Sequence, residues 1–159
     1  MANEIMMKLL FSQKVFAAVD YARTVMFQGI DERPVDFPKL VFLLKDDDGR
    51  GVKKSELELL KKISDYIGID PGEVAALNNA FENISFRSLL SSRVNGIISF
   101  GLQPGNIGLQ IETKPNQVVR FMDVQLLFTM PLQKLVALPK EDSFKTQFFN
   151  NVRKIFTAS

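Results

Sequence analysis

The most restrictive feature of this sequence is the run Leu40-Val41-Phe42-Leu43-Leu44, five apolar side chains in a row between Lys39 and Lys45. Successive side chains of a strand point to opposite faces, so a strand with one wet face alternates apolar and polar residues. An unbroken apolar strand needs cover on both sides. The run therefore predicts a central strand at residues 39–45 in an α/β domain with helices above and below the sheet.

The residues downstream fit that frame. Ser55 and Glu58 form an expected capping box, Leu57, Leu60, Ile63 and Ile67 follow at helical spacing, and Gly68 supplies a stop. Asp70 and Pro71 open a short turn before a second strand at 74–77. Ser85 caps a helix to about residue 92, and a third strand follows at 94–102. This β-α-β-α-β order favours parallel pairing through right-handed crossovers. Residues 118–121 and 124–130 read either as a hairpin turning near Met122 and Asp123 or, the preferred reading, as an edge strand leading into a fourth core strand. Pro131 opens a short helix, and a last helix is expected at about 143–156, with Phe144, Phe148, Val152 and Ile155 on one face.

Ahead of the strand, residues 3–28 show near-helical apolar spacing (Ile5, Met6, Leu9, Leu10, Phe16, Ala17, Val19). Residues 29–38, with Pro34 and Pro38, read as a connector. The expected organisation is thus an N-terminal helical arm and connector at 1–36 and an α/β domain at 37–159, a three-layer α/β/α sandwich with a four- or five-stranded, mostly parallel sheet. A chain of 159 residues that is 46% hydrophobic suits one such core.

Composition narrows the chemistry. The chain holds neither histidine nor cysteine. Thiolate nucleophiles, disulfides, thiolate or imidazole zinc sites and His-based general-base catalysis are therefore all excluded. No cofactor is implied. The absence of cysteine suits a reducing compartment, and no apolar run approaches the ~20 residues of a membrane span, so a cytoplasmic location without a membrane partner is expected. A net charge of +2 does not demand nucleic acid as a partner.

Three features are candidates for function. Asp46, Asp47 and Asp48 directly follow the buried strand, where open α/β sheets bind ligands, and adjacent carboxylates there suit Mg²⁺ or attack on a phosphoryl group. The same residues also read as a solvated acidic turn. The loop containing Gly101, Pro104, Gly105 and Gly108 offers amides to a phosphate, or else uses its glycines for turn geometry. Most of the fourteen phenylalanines belong to the core, but Phe11, Phe16 and Phe27 on the arm are candidate partner-binding residues. Arg87, Arg93, Lys145, Arg153 and Lys154 read as phosphate contacts or as solvated helix faces.

Residues 40–78, LVFLLKDDDGRGVKKSELELLKKISDYIGIDPGEVAALN, and 85–109, SFRSLLSSRVNGIISFGLQPGNIGL, resemble the psi subunit of bacterial DNA polymerase III and its Bacteroidetes-type relatives. The resemblance is carried by the buried strand, the Ile69-Asp70-Pro71 turn after the first helix, Glu73-Val74 leading into a strand, Phe100-Gly101 with Ile107-Gly108-Leu109, and the closing Lys154-Ile155-Phe156. It implies the uracil-DNA glycosylase fold without the glycosylase activity. A glycosylase would need a histidine in its last loop, and Thr129-Met130-Pro131-Leu132 has none. The resemblance also implies protein binding within the replication machinery, with the arm as the attachment segment. The expected function is a non-catalytic adaptor or scaffold. The alternatives are a Mg²⁺-dependent phosphohydrolase using Asp46 and Asp48, and an inactive glycosylase-like domain that binds nucleic acid.

Overall fold

The computed structural model describes residues 27–30, 34–35 and 37–157. Its strands are β1 (Phe27–Gly29), β2 (Pro34–Val35), β3 (Leu40–Leu44), β4 (Val74–Asn78), β5 (Gly96–Phe100), β6 (Val118–Phe121) and β7 (Val124–Thr129). Its helices are α1 (Lys54–Ile67), α2 (Phe86–Ser91), α3 (Leu132–Ala137), α4 (Ser143–Val152) and α5 (Lys154–Thr157). The strands form one sheet in the order β2-β1-β4-β3-β5-β7-β6. Strands β4, β3, β5 and β7 are mutually parallel; β6 runs antiparallel at one edge, and β1, with β2 outside it, runs antiparallel to β4 at the other.

Chain direction explains the layers. From β3 the chain passes through α1 to β4 on one side, then crosses back over β3 through α2 to β5 on the other. Two right-handed crossovers running in opposite directions must put their helices on opposite faces. The packing agrees. Leu40, Phe42 and Leu44 of β3 meet Leu60 and Ile63 of α1 and Phe148 and Val152 of α4, whereas Val41 and Leu43 meet Phe86 and Leu89 of α2. All five β3 residues are buried, as an unbroken apolar strand requires. The three-layer α/β/α sandwich stands; the parallel four and β6 fall within the four or five strands expected, and β1 and β2 extend the sheet beyond β4.

Four local expectations are corrected. Residues 27–29 are strand rather than the end of a helix, and residues 34–35 of the expected connector pair with them. β1 in turn adds to the edge of β4, so tertiary pairing overrides the local apolar spacing. Helix α1 starts at Lys54, ahead of the Ser55/Glu58 pair; the Glu56 carboxylate accepts from the Lys53 N–H at 3.1 Å, while the Lys53 side chain, which has no acceptor, caps no amide in return. The last helix is interrupted at Arg153, between α4 and α5. The segment 118–130 is both things at once: β6 and β7 form a hairpin through Met122 and Asp123, at φ 51° and 66°, and β7 is also the fourth core strand. The expected arm, apart from β1, lies outside the described residues.

Candidate functional site

The four parallel strands present their carboxyl ends on one side of the sheet, and the chain order reverses between β3 and β5. Ligands of open α/β sheets usually enter at that reversal. Here it is closed. The Lys45 N–H donates to the Phe100 carbonyl at 3.1 Å and the Gly101 N–H to that of Thr129 at 2.9 Å, so the ladder continues beyond the strands. Gly101 has φ 97°, and a Cβ on it would lie 2.9 Å from the Lys45 Cβ and 3.2 Å from the Pro131 Cγ. The crevice is filled by the stem of Lys45 and the ring of Pro131.

The loop beyond Gly101 is engaged with itself. Pro104 and Gly105 open a 3₁₀ turn, Pro104–Ile107, that ends on Gly108 at φ 84°. The amides of Asn106, Gly108 and Leu109 donate to Gln103, Gly105 and Pro104, and that of Gln103 to the Asn106 side chain. These donors are held within the turn, so turn geometry explains the glycines. Ser99, at the end of β5, is also committed, its Oγ donating to the Leu102 carbonyl at 2.8 Å in the core.

Asp46, Asp47 and Asp48 do line a common cleft of about 260 Å³ at the end of β3, opposite Pro131 and Lys134. Their roles diverge. Asp46 accepts from the amides of Arg50 and Gly51 at 3.1 and 2.7 Å and from the Asn78 Nδ2 at 2.9 Å. Register explains Asn78, because the β3–β4 pairing sets it opposite Leu44, two residues before Asp46. Asn79 completes the staple by accepting from the Asp46 N–H at 2.7 Å. Burial pushes the Asp46 pKa up, but the hydrogen bonds from Asn78, Gly51, Arg50 and Gly49 outweigh it and hold the carboxyl below its ordinary value. Asp47 and Asp48 are exposed and pair with Lys45 at 3.6 Å and Arg50 at 3.2 Å. Among the described residues no group of three acidic side chains gathers as a metal-ligand set.

No protein-family model matches the chain, and neither does any curated protein.

Across the 46–53 loop lies a second, apolar feature: an open groove of about 490 Å³ against α1, lined by Ile30, Val52, Leu57, Leu60, Ala76 and Phe81 among others. Phe81 is 65% exposed and Val52 41%. Phe81 sits just beyond β4, where its N–H donates to the Asn78 carbonyl at 3.0 Å and the Asn78 Oδ1 accepts from Ala80 at 2.8 Å. A short turn thus holds a large aromatic side chain outward. The local sequence carries a clue, since Phe81 stands among Asn78, Asn79, Glu82 and Asn83, with asparagines at both strand-spaced positions, 79 and 83.

Of the arm candidates, Phe11 and Phe16 lie outside the described residues and Phe27 opens β1. The basic residues form no single patch. Arg87 and Arg93 belong to the α2 layer, whereas Lys145, Arg153 and Lys154 belong to the opposite one. Lys145 donates to the Leu138 carbonyl at 3.1 Å, and the Arg153 guanidinium lies 5.3 Å above the Tyr66 ring. No helix among the described residues is long and apolar enough to cross a membrane.

Proposed function

We propose that the chain is a non-catalytic protein-binding adaptor and that it docks its partner on the groove between α1 and the loop after β4. The observation that carries this reading is Phe81, 65% exposed at the rim of an apolar groove. Exposed aromatic side chains beside apolar depressions are the usual anchors of protein interfaces. A small ligand is normally enclosed, but here contact surface continues onto Phe81 outside the groove, which suits a larger partner. The filled crevice at Gly101 and the engagement of Asp46 within its own loop support a reading without catalysis. A cytoplasmic setting goes with it, in keeping with a cysteine-free chain. The place in replication rests on the resemblance to the psi subunit alone.

The test compares affinity capture from the source cells with the wild-type chain and with Phe81→Ala. Each captured protein is identified, purified and titrated against both baits. A partner whose Kd weakens at least about tenfold with Phe81→Ala, roughly 1.4 kcal/mol, supports the reading. The variant should melt within about 0.5 kcal/mol of wild type, because the side chain is exposed. Equal binding to both baits would remove this groove as the docking site.

A further inference from the structure

Glu82 follows Phe81 and lines the same groove. It is the one charged residue among the described lining residues, the others being apolar apart from glycines and Asn78. Its Oε1 is buried and has no hydrogen-bond partner. None of the ion pairs among the described residues includes it. Its backbone is nevertheless held firmly, since the Glu82 N–H donates to the Asn78 carbonyl at 3.1 Å within the turn that projects Phe81.

In the free domain Oε1 is withheld from water without a donor, although the side chain as a whole is only half-buried. Burial pushes the Glu82 pKa up, and nothing in the groove compensates the charge. Other half-buried or buried polar side chains nearby have evident structural work: Asp46 staples its loop, Glu56 caps α1 and Asn78 joins β4 to the β3 loop. Glu82 has none of these tasks. A costly group that supports no fold element suits a place where a ligand supplies the missing counter-charge.

We infer that the groove selects a polypeptide segment carrying a lysine or arginine next to an apolar side chain, with the cation on Glu82 and the apolar group against Val52, Leu57 and Phe81. The inference rests on the protein-binding reading of this groove and adds the chemistry of the partner. Charge complementarity decides for a cationic segment. An anionic or purely apolar one would leave the carboxylate buried and unpaired, at a greater cost than in the free state. A basic side chain also brings several N–H donors to Oε1, and its aliphatic stem suits the apolar walls.

The experiment pans a phage-displayed library of random peptides against the full chain at neutral pH. Enriched peptides are synthesised and titrated by calorimetry against wild type, Phe81→Ala and Glu82→Gln. The expected peptides place Lys or Arg beside Leu, Ile, Met or Phe, bind through Phe81, and lose about ten- to a hundredfold in affinity with Glu82→Gln. Replacing the peptide lysine by norleucine should cause a similar loss that does not add to that of Glu82→Gln, because the two changes remove one interaction. Melting provides the control: Glu82→Gln should leave the free domain at least as stable as wild type, so weaker binding cannot be assigned to unfolding. Peptides that depend on Phe81 but show no basic preference, and bind Glu82→Gln unchanged, overturn this inference and leave the protein-binding reading standing. Failure to enrich any peptide sensitive to Phe81→Ala overturns both.

Discussion

Asp46 shows how one side chain can hold a whole loop. Its carboxylate gathers the Arg50 and Gly51 amides and the Asn78 side chain, and thereby ties the segment after β3 to the end of β4. Because its folded pKa is depressed, its stabilising contribution is present above the unfolded value of about 3.9 and is lost as pH falls through the folded value. Asp46→Asn should therefore lower the melting temperature at pH 7 and flatten its decline below about pH 4. Melting curves of both proteins across that range check this, and equal acid sensitivity would refute it. Asn116 plays a comparable part in the interior. It is fully buried at φ 67°, donates its Nδ2 to the Phe144 carbonyl, accepts at Oδ1 from Thr129, and accepts at its carbonyl from Asn151 at 2.6 Å. Each polar atom named is satisfied, so this buried asparagine joins α4 to β7 without an orphaned group.

At the level of elements, α1 contributes to both clefts, with Glu56 in the one beside the aspartates and Leu57 and Leu60 in the apolar groove. It buries Leu59, Leu60 and Ile63 against the sheet. Its end is set by Gly68 at φ 87°, whose N–H donates to the Ser64 and Asp65 carbonyls while that of Ile69 returns to Ser64. A side chain is strained in that left-handed conformation even though the space around Gly68 is open. Gly68→Ala should cost about 1 kcal/mol, read from urea unfolding, with no loss of helix content in the folded state. The start of α1 was harder to read because Ser55 and Glu58 match the spacing of a capping box. What decides the boundary is the reach of Glu56 to the Lys53 amide, which depends on where the incoming loop lies. In β1 and β2, only three and two residues long, pairing with a neighbour outweighs local pattern altogether.

Across the whole molecule, one sheet separates two apolar layers, one built on α1, α3, α4 and α5 and the other on α2 and the segments around Ile107 and Leu109. Ile63 and Ile97 lie in different layers and are both essentially inaccessible, at 0% and 1%. Ile63→Val and Ile97→Val should each cost about 0.5–1.5 kcal/mol in chemical denaturation, and the double variant should match their sum within about 0.5 kcal/mol. A larger discrepancy would mean that the sheet transmits repacking from one layer to the other. The layering itself was legible from Leu40–Leu44, since five consecutive apolar side chains cannot all be buried without two covering layers. The caps at Ser85 and Gly68 were legible too, because they depend on residues within one helical turn. The docking groove was not. Ile30, Val52, Leu57, Ala76 and Glu82 come from separate stretches of chain, and they meet through the pairing of β1 with β4 and the seating of α1 on β3. The three aspartates were conspicuous in the sequence, yet the β3–β4 register commits Asp46 to Asn78 and the packing of Gly101 against Lys45 and Pro131 fills the neighbouring crevice. Local periodicity and capping reside in neighbours along the chain, whereas the openness of a surface depends on which distant segments come to rest beside it.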